Sequence, residues 1–147
     1  MNKIRVLFLC VHNSARSQIA EAYMNKYGSD FFEAESAGFD PKEINPLAIT
    51  VMKEEGIDIS KNSIDNVFDF FKQQKFFGYI VTVCEESTNQ KCPIFPGVLK
   101  RIHWDLEDPN NFSGTNEEKL EKMRTLRDII KNKVLIFIRE LEQNYKK

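Results

Sequence analysis

The first apolar segment of the chain constrains its fold more than any other feature. Ile4 to Cys10 is a nearly continuous apolar run rich in branched side chains, which is typical of a strand buried on both faces of a parallel sheet. A short polar stretch leads to Arg16, and from Ser17 apolar residues recur at helical spacing until Gly28. This order predicts a strand, a loop and a helix.

The rest of the chain continues this alternation. Runs of branched and aromatic residues predict three further strands, at 32–36, 79–83 and 101–104. Caps and apolar residues three or four apart predict three further helices, at 45–56, within 65–77 and at 115–141. The order of these elements indicates the α/β class, with an open parallel sheet of about four strands flanked by helices on both faces.

The length and charge of the chain limit its organisation and partners. A chain of 147 residues, 41% of them hydrophobic, predicts a single domain spanning residues 1–147. Its 21 basic and 22 acidic residues leave a formal net charge of -1, so we expect neither nucleic acid nor a membrane as a partner, and we expect a monomer. No run resembles a signal peptide or reaches the roughly 20 apolar residues of a membrane helix, which favours the cytoplasm.

The loop between the first strand and the first helix has the composition of an anion site. This segment, termed the Cys10 loop, comprises Cys10, Val11, His12, Asn13, Ser14, Ala15, Arg16 and Ser17. In open parallel sheets, ligands bind beyond the carboxyl ends of strands, and the backbone N–H groups of a tight loop that enters a helix form a nest for an oxyanion. Arg16 adds paired donors, and the same surroundings favour a Cys10 thiolate. The alternative is a buried structural cysteine beside a surface arginine.

An acidic segment follows the predicted strand that ends at Trp104. If the sheet is parallel, this segment lies on the same edge as the Cys10 loop. Nucleophilic displacement at an oxyanion expels hydroxide or alkoxide, and a nearby carboxylic acid can protonate that leaving group. Asp108 is the candidate acid and Asp105 and Glu107 are the next choices, whereas the alternative is a simple acidic turn before proline.

Two further cysteines bound a polar segment that begins where a core strand ends. Cys84 and Cys92 are separated by seven residues, which does not match the short spacings of structural zinc sites, and only His12 and His103 could complete a zinc ligand set. A thiol relay fits better: Cys84 attacks an adduct on Cys10, and Cys92 then takes over the disulfide.

Together these segments resemble the thioredoxin-coupled arsenate reductases, which share the fold of the low-molecular-weight protein tyrosine phosphatases. The resemblance covers nearly the whole chain and rests on residues 10–18, 20–21, 36–38, 45–46, 56–60, 84, 92–93, 103–104, 108–109 and 114–115. It implies that Cys10 is the nucleophile, that Arg16 and the loop amides bind arsenate, and that Asp108 is the general acid. Cys84 and Cys92 are then the redox pair, and thioredoxin reduces their disulfide.

The resemblance also bears on cofactors. No tightly bound cofactor is implied, but some members of the family bind a potassium ion through residues that match Asn13, Glu21, Ser36 and Asp65. The interval between the two relay cysteines is one residue longer here than in the best-known members.

Two other functions remain open at this point. A low-molecular-weight tyrosine phosphatase would use Cys10, Arg16 and Asp108 to hydrolyse phosphate monoesters through a cysteinyl-phosphate. However, 110–111 is Asn-Asn where such phosphatases usually present an aromatic residue. A non-enzymatic phosphocarrier or nucleotide-binding module is the other alternative, and the lack of a G-x-G-x-x-G or Walker sequence argues against it.

Overall fold

Four parallel strands form the centre of the fold in a computed structural model, which describes residues 3–84 and 95–145. The strands are β1 (Ile4–Cys10), β2 (Phe32–Gly38), β3 (Tyr79–Thr82) and β4 (Lys100–His103). Their order across the sheet is β2-β1-β3-β4, and each neighbouring pair is parallel. The predicted α/β class and four-stranded parallel sheet are confirmed.

Helices connect and cover these strands. Within the described ranges the α-helices are α1 (Arg16–Tyr27), α2 (Pro46–Lys53), α3 (Val67–Lys72) and α4 (Asn116–Tyr145), and a short 3-10 turn spans Pro109–Asn111. Asn45 and Asn66 cap α2 and α3, each accepting a hydrogen bond at 2.8 Å from the backbone N–H two residues later. Thr115 and Glu118 form the predicted capping box of α4. None of the described helices is both long and apolar enough to cross a membrane.

Alternating side chains of β1 enter two separate cores. Val6, Phe8 and Cys10 lie on the face covered by α1, α2 and α4, whereas Leu7 and Leu9 lie on the face covered by α3. None of these five residues is more than 2% exposed. A strand buried on both faces explains the continuous apolar run, and the helices flank both faces as predicted.

The sequence predicted the types of the elements better than their ends. The helix predicted within 65–77 covers only Val67–Lys72, and Phe77 instead packs against Phe70 in the smaller core. β2 extends beyond its predicted end to Gly38 because its last residues pair with the end of β1. Strand ends depend on the neighbouring strand, and a local pattern does not contain that information.

Candidate active site

The carboxyl ends of β1 and β3 bring two cysteines to one edge of the sheet. Leu9 pairs with Thr82, and neighbouring strands of a sheet lie about 4.8 Å apart. Cys10 follows Leu9 directly and Cys84 lies two residues after Thr82. They are 2% and 4% exposed and belong to the same buried cluster. Neither forms a disulfide with another described residue. Two of the three predicted redox cysteines therefore lie just beyond the ends of adjacent strands. Cys92 lies outside the described residues.

The sulfur of Cys10 is surrounded by polar groups of its own loop. The backbone N–H of Asn13 donates a hydrogen bond to Cys10 Sγ at 3.0 Å, and the Ser17 hydroxyl lies 2.9 Å from the same sulfur. Ser17 in turn donates to Asn13 Oδ1 at 2.7 Å. The Asn13 N–H is a donor that suits a sulfur carrying negative charge during a reaction, while the Ser17 hydroxyl proton is directed at Asn13.

The carbonyl groups of the Cys10 loop form hydrogen bonds that direct them away from the space above Cys10. Four of them accept hydrogen bonds from backbone N–H groups of the 39–45 segment: Cys10 from Phe39 at 3.3 Å, Val11 from Asp40 at 2.7 Å, His12 from Lys42 at 3.0 Å and Ser14 from Asn45 at 2.8 Å. In a trans peptide the C=O and the following N–H point in opposite directions. The anchored carbonyls therefore turn the N–H groups of the loop towards the opposite side.

These N–H groups form a row of donors at the start of α1. Across residues 3–84 and 95–145, no acceptor lies in hydrogen-bond geometry to the backbone N–H groups of residues 14–17. The first N–H groups of a helix have no partner inside the helix and carry its positive dipole end. The Cys10 loop therefore has the geometry of an oxyanion nest.

Gly38, the last residue of β2, allows the strand to approach this loop. A Cβ atom at Gly38 would lie 2.8 Å from the carbonyl oxygen of Val11 and 2.9 Å from the backbone nitrogen of Asn13. Asn13 itself has a φ of 53°, a left-handed conformation that asparagine tolerates better than most residues. Gly38 is visible in the sequence only as part of the Ser36-Ala37-Gly38 motif, and no local signal indicates this close approach.

Arg16 connects the Cys10 loop to the acidic segment after β4. Its guanidinium donates to the carbonyl oxygen of Leu106 at 3.0 Å and lies 3.8 Å from Asp108 Oδ2. The other oxygen of Asp108 accepts a hydrogen bond at 2.9 Å from the backbone N–H two residues later. The side chain of Arg16 is 5% exposed and that of Asp108 is 25% exposed, whereas Asp105 and Glu107 are exposed residues. The predicted guanidinium and the predicted acid are thus neighbours.

Glu21 on α1 lies near Ser36 of β2 and Asp65 of the segment that leads to α3. Burial raises the pKa of Glu21 to about 7, hydrogen bonds from Ser36 oppose this rise, and the negative charges of Asp65 and Glu35 add to it. The carbonyl of Asp65 accepts a hydrogen bond from the Gly38 N–H at 2.8 Å. Three of the four residues matched to a potassium ion therefore lie near one another.

Each of the two histidines considered as zinc ligands has a ring nitrogen in contact with another group of the protein. His12 Nδ1 lies 2.9 Å from the carbonyl oxygen of Asp40, and His103 Nδ1 lies 2.6 Å from the Thr82 hydroxyl. In the part of the chain that the structure describes, no group of three or more histidine, cysteine or acidic side chains is placed to hold a metal ion.

Comparison with known proteins extends these observations. The pattern of the family described as low molecular weight phosphotyrosine protein phosphatase matches residues 5–147. The chain belongs to the low-molecular-weight phosphotyrosine phosphatase family. A relative in Halalkalibacterium halodurans, described as an arsenate reductase, is 39% identical over 137 residues, which are 93% of this chain and 96% of the relative.

Solved structures that are similar to this chain include arsenate reductases. One described as an arsenate reductase in the phosphate binding state is 31% identical, has a TM-score of 0.78, and is matched over 93% of this chain and 98% of its own. Another is a thioredoxin-dependent arsenate reductase of Corynebacterium glutamicum, 28% identical with a TM-score of 0.62. That match covers 91% of this chain and 63% of the other. Arsenate reductases are thus among the phosphatase-family proteins that this chain resembles.

Proposed function

We propose that this protein is a cytoplasmic, monomeric arsenate reductase that uses thioredoxin as its reductant. The observation that carries the proposal is the placement of Cys10 below a row of N–H donors that have no acceptor among the described residues, with a second buried cysteine, Cys84, two residues beyond the end of the adjacent strand β3. The relatives described as arsenate reductases and the thioredoxin-dependent structural neighbour support it.

The first step is attack of the Cys10 thiolate on arsenic. The loop N–H groups of Val11, His12, Ser14, Ala15, Arg16 and Ser17, together with the Arg16 guanidinium, hold the arsenate oxygens, while the N–H of Asn13 donates to Cys10 Sγ. A bond forms between Cys10 Sγ and arsenic while an As–O bond breaks. Asp108 gives its proton to the departing hydroxide, which leaves as water.

The second step transfers two electrons to arsenic. The Cys84 thiolate attacks Cys10 Sγ, the S–As bond breaks, and its electron pair leaves with arsenic as arsenite. The two sulfurs are oxidised to a Cys10–Cys84 disulfide. Cys92 then attacks Cys84 Sγ and releases the Cys10 thiolate. Thioredoxin reduces the resulting Cys84–Cys92 disulfide and becomes oxidised itself.

We also propose that Asn13, Glu21, Ser36 and Asp65 hold a potassium ion. Their side chains supply oxygen atoms, which are hard donors of the type that alkali cations accept. A bound cation would offset the repulsion between the carboxylates of Glu21 and Asp65. Potassium should therefore raise the thermal stability of the protein relative to choline at equal ionic strength, and Glu21→Gln should remove this difference.

The same loop could hydrolyse phosphate monoesters, and we expect residual phosphatase activity. However, the groove beside the Cys10 loop is lined by Ser14, Lys42, Glu43, Ile44, Asn45, Pro46 and Asn110, with no aromatic side chain among them. A phenol ring would find no stacking partner among these described lining residues. This favours a small inorganic oxyanion over phosphotyrosine as the main substrate.

One pair of assays separates the two activities. Arsenate turnover is measured with thioredoxin, thioredoxin reductase and NADPH, and p-nitrophenyl phosphate hydrolysis is measured on the same preparation. The proposal expects thioredoxin-dependent arsenate turnover together with weak ester hydrolysis. Strong ester hydrolysis without arsenate turnover would instead identify a phosphatase, and inactivity in both assays would favour a binding module.

Variants of the relay cysteines test the order of the steps. Cys92→Ser should release about one arsenite per protein and then stall as a Cys10–Cys84 disulfide, because no thiol remains to move the disulfide outwards. Cys84→Ser should release none. Both variants should retain p-nitrophenyl phosphate hydrolysis, which serves as the control for folding. Multiple turnovers by Cys92→Ser with thioredoxin alone would refute the three-cysteine relay.

A further inference from the structure

One carbonyl of the Cys10 loop is held by a side chain. Among the described residues, the carbonyl of Asn13 accepts its hydrogen bond from Gln18 Nε2 at 3.2 Å. The carbonyls of its neighbours His12 and Ser14 are held by backbone N–H groups of the 39–45 segment instead. Gln18 therefore anchors a part of the loop that the 39–45 segment does not.

The side chain of Gln18 is itself fixed from several directions. It is completely buried, and the same Nε2 donates to the carbonyl oxygen of Ser63 at 2.9 Å. Its Oε1 accepts a hydrogen bond from the Asn62 side chain at 3.2 Å. The amide thus bridges the Cys10 loop and the segment that leads to α3, and each of its polar atoms has a partner.

We propose that Gln18 is a positioning residue that aims the N–H of Ser14 at the bound oxyanion. The Asn13 carbonyl and the Ser14 N–H belong to one peptide group and point in opposite directions. By holding the carbonyl on its own side, Gln18 keeps the N–H on the side of the nest. The inference rests on the proposed oxyanion site and adds a determinant of its affinity.

Loss of the Gln18 amide would favour rotation of the peptide group between Asn13 and Ser14. Without Gln18, the buried Asn13 carbonyl has lost its donor, and leaving such a group unsatisfied is unfavourable. Rotation towards the open side of the loop would restore a partner such as water. The same rotation would replace a donor by a carbonyl oxygen, which repels an oxyanion.

The sulfur of Cys10 provides a reporter that this rotation should leave unchanged. Its N–H donor belongs to Asn13, and that N–H is part of the preceding peptide group, whose carbonyl is held by the backbone N–H of Lys42. Gln18 should therefore control the affinity for the oxyanion and not the reactivity of the free thiol.

Protection of Cys10 from iodoacetamide measures both quantities in one experiment. Alkylation of the peptide that contains Cys10 is followed by mass spectrometry at increasing concentrations of inorganic phosphate. In Gln18→Met, which keeps the length of the side chain but not its donor, the phosphate Kd should rise at least about tenfold, the factor that corresponds to about 1.4 kcal/mol. Alkylation without phosphate should stay within about threefold of wild type, since the donor to sulfur is retained.

Asn25 offers a matched control on the same helix. Its side-chain amide joins α1 to β2 through two hydrogen bonds with the backbone of Ala34, at 2.9 Å and 3.1 Å, and it takes no part in the Cys10 loop. Asn25→Ala should lower the Tm and leave the phosphate Kd unchanged. If Gln18→Met weakens phosphate binding no more than Asn25→Ala does, Gln18 has only a structural role.

A second variant covers the case in which Gln18→Met fails to fold. Gln18→Glu preserves the shape of the side chain and its acceptor for Asn62, but an ionised carboxylate cannot donate to Asn13. It should weaken phosphate binding in the same way, and a Kd equal to that of wild type would overturn the proposal. If phosphate fails to protect Cys10 even in the wild-type protein, the oxyanion site itself is refuted, and that result is distinct from a failure of the Gln18 variants.

Discussion

Replacement of Gly38 by alanine should damage the Cys10 loop with little effect elsewhere. The added Cβ would lie 2.8 to 2.9 Å from backbone atoms of Val11, His12 and Asn13. These are main-chain atoms, so no side-chain rotation relieves the contact. Reaching the ordinary contact distance of 3.4 Å requires the loop and the end of β2 to separate by about half an ångström.

The expected magnitudes follow from that displacement. Overpacking of a buried site costs about 1 to 3 kcal/mol of unfolding free energy. A misplacement of 1 Å at a reacting centre costs about 100-fold in rate, so we expect Gly38→Ala to lower kcat/KM for arsenate by roughly tenfold or more. The phosphate Kd should rise in parallel, because the N–H donors move together with the loop.

Gly78 provides the control for this experiment. A Cβ atom there would meet its nearest neighbour at 3.5 Å, an ordinary contact, so Gly78→Ala should retain wild-type activity and phosphate affinity. Thermal melting, phosphate protection of Cys10 and arsenate turnover are measured on both variants. If Gly38→Ala binds phosphate and turns over as well as Gly78→Ala, the close packing of β2 does not set the geometry of the loop.

Two other substitutions test the candidate general acid Asp108 and the interactions of the Glu55 carboxylate. Asp108→Asn can still accept the hydrogen bond that fixes its turn but cannot donate a proton, so turnover of arsenate and of p-nitrophenyl phosphate should fall about 100- to 10,000-fold. Unchanged rates across the pH range would assign the role to another acid. Hydrogen bonds from Lys131 and Tyr23 hold the pKa of Glu55 below its ordinary value, so its stabilising effect is present above pH 4.5 and is lost as the pH falls through the lowered pKa. Glu55→Gln should lower the free energy of unfolding at pH 7 by no more than about 1 kcal/mol. Denaturant titrations should show that this difference between variant and wild type shrinks in acid. A difference that grows in acid would contradict the stabilising role of the Glu55 carboxylate.

The local sequence was sufficient to predict the first strand, the first helix and the loop between them. The apolar run of β1 and the helical spacing of α1 are consecutive, so the position of the Cys10 loop at a carboxyl edge followed without knowledge of the rest of the fold. The capping box of Thr115 and Glu118 was likewise visible because both of its hydrogen bonds lie within four residues. Features formed by neighbours in the chain are encoded in the local pattern.

The sequence by itself thus determined the fold class, the loop that carries Cys10 and Arg16, and the candidate acid Asp108. Only the tertiary structure decided how that loop is held: by the 39–45 segment, by the close approach of Gly38, by the bridge from Gln18 to Ser63, and by the carbonyl of Leu106 on Arg16. These contacts join segments that are distant in sequence. They exist because the strand order β2-β1-β3-β4 places the end of β2 beside the end of β1 and the end of β4 one strand further, beyond β3, at the same edge of the sheet. Periodicity along a single element does not specify that order.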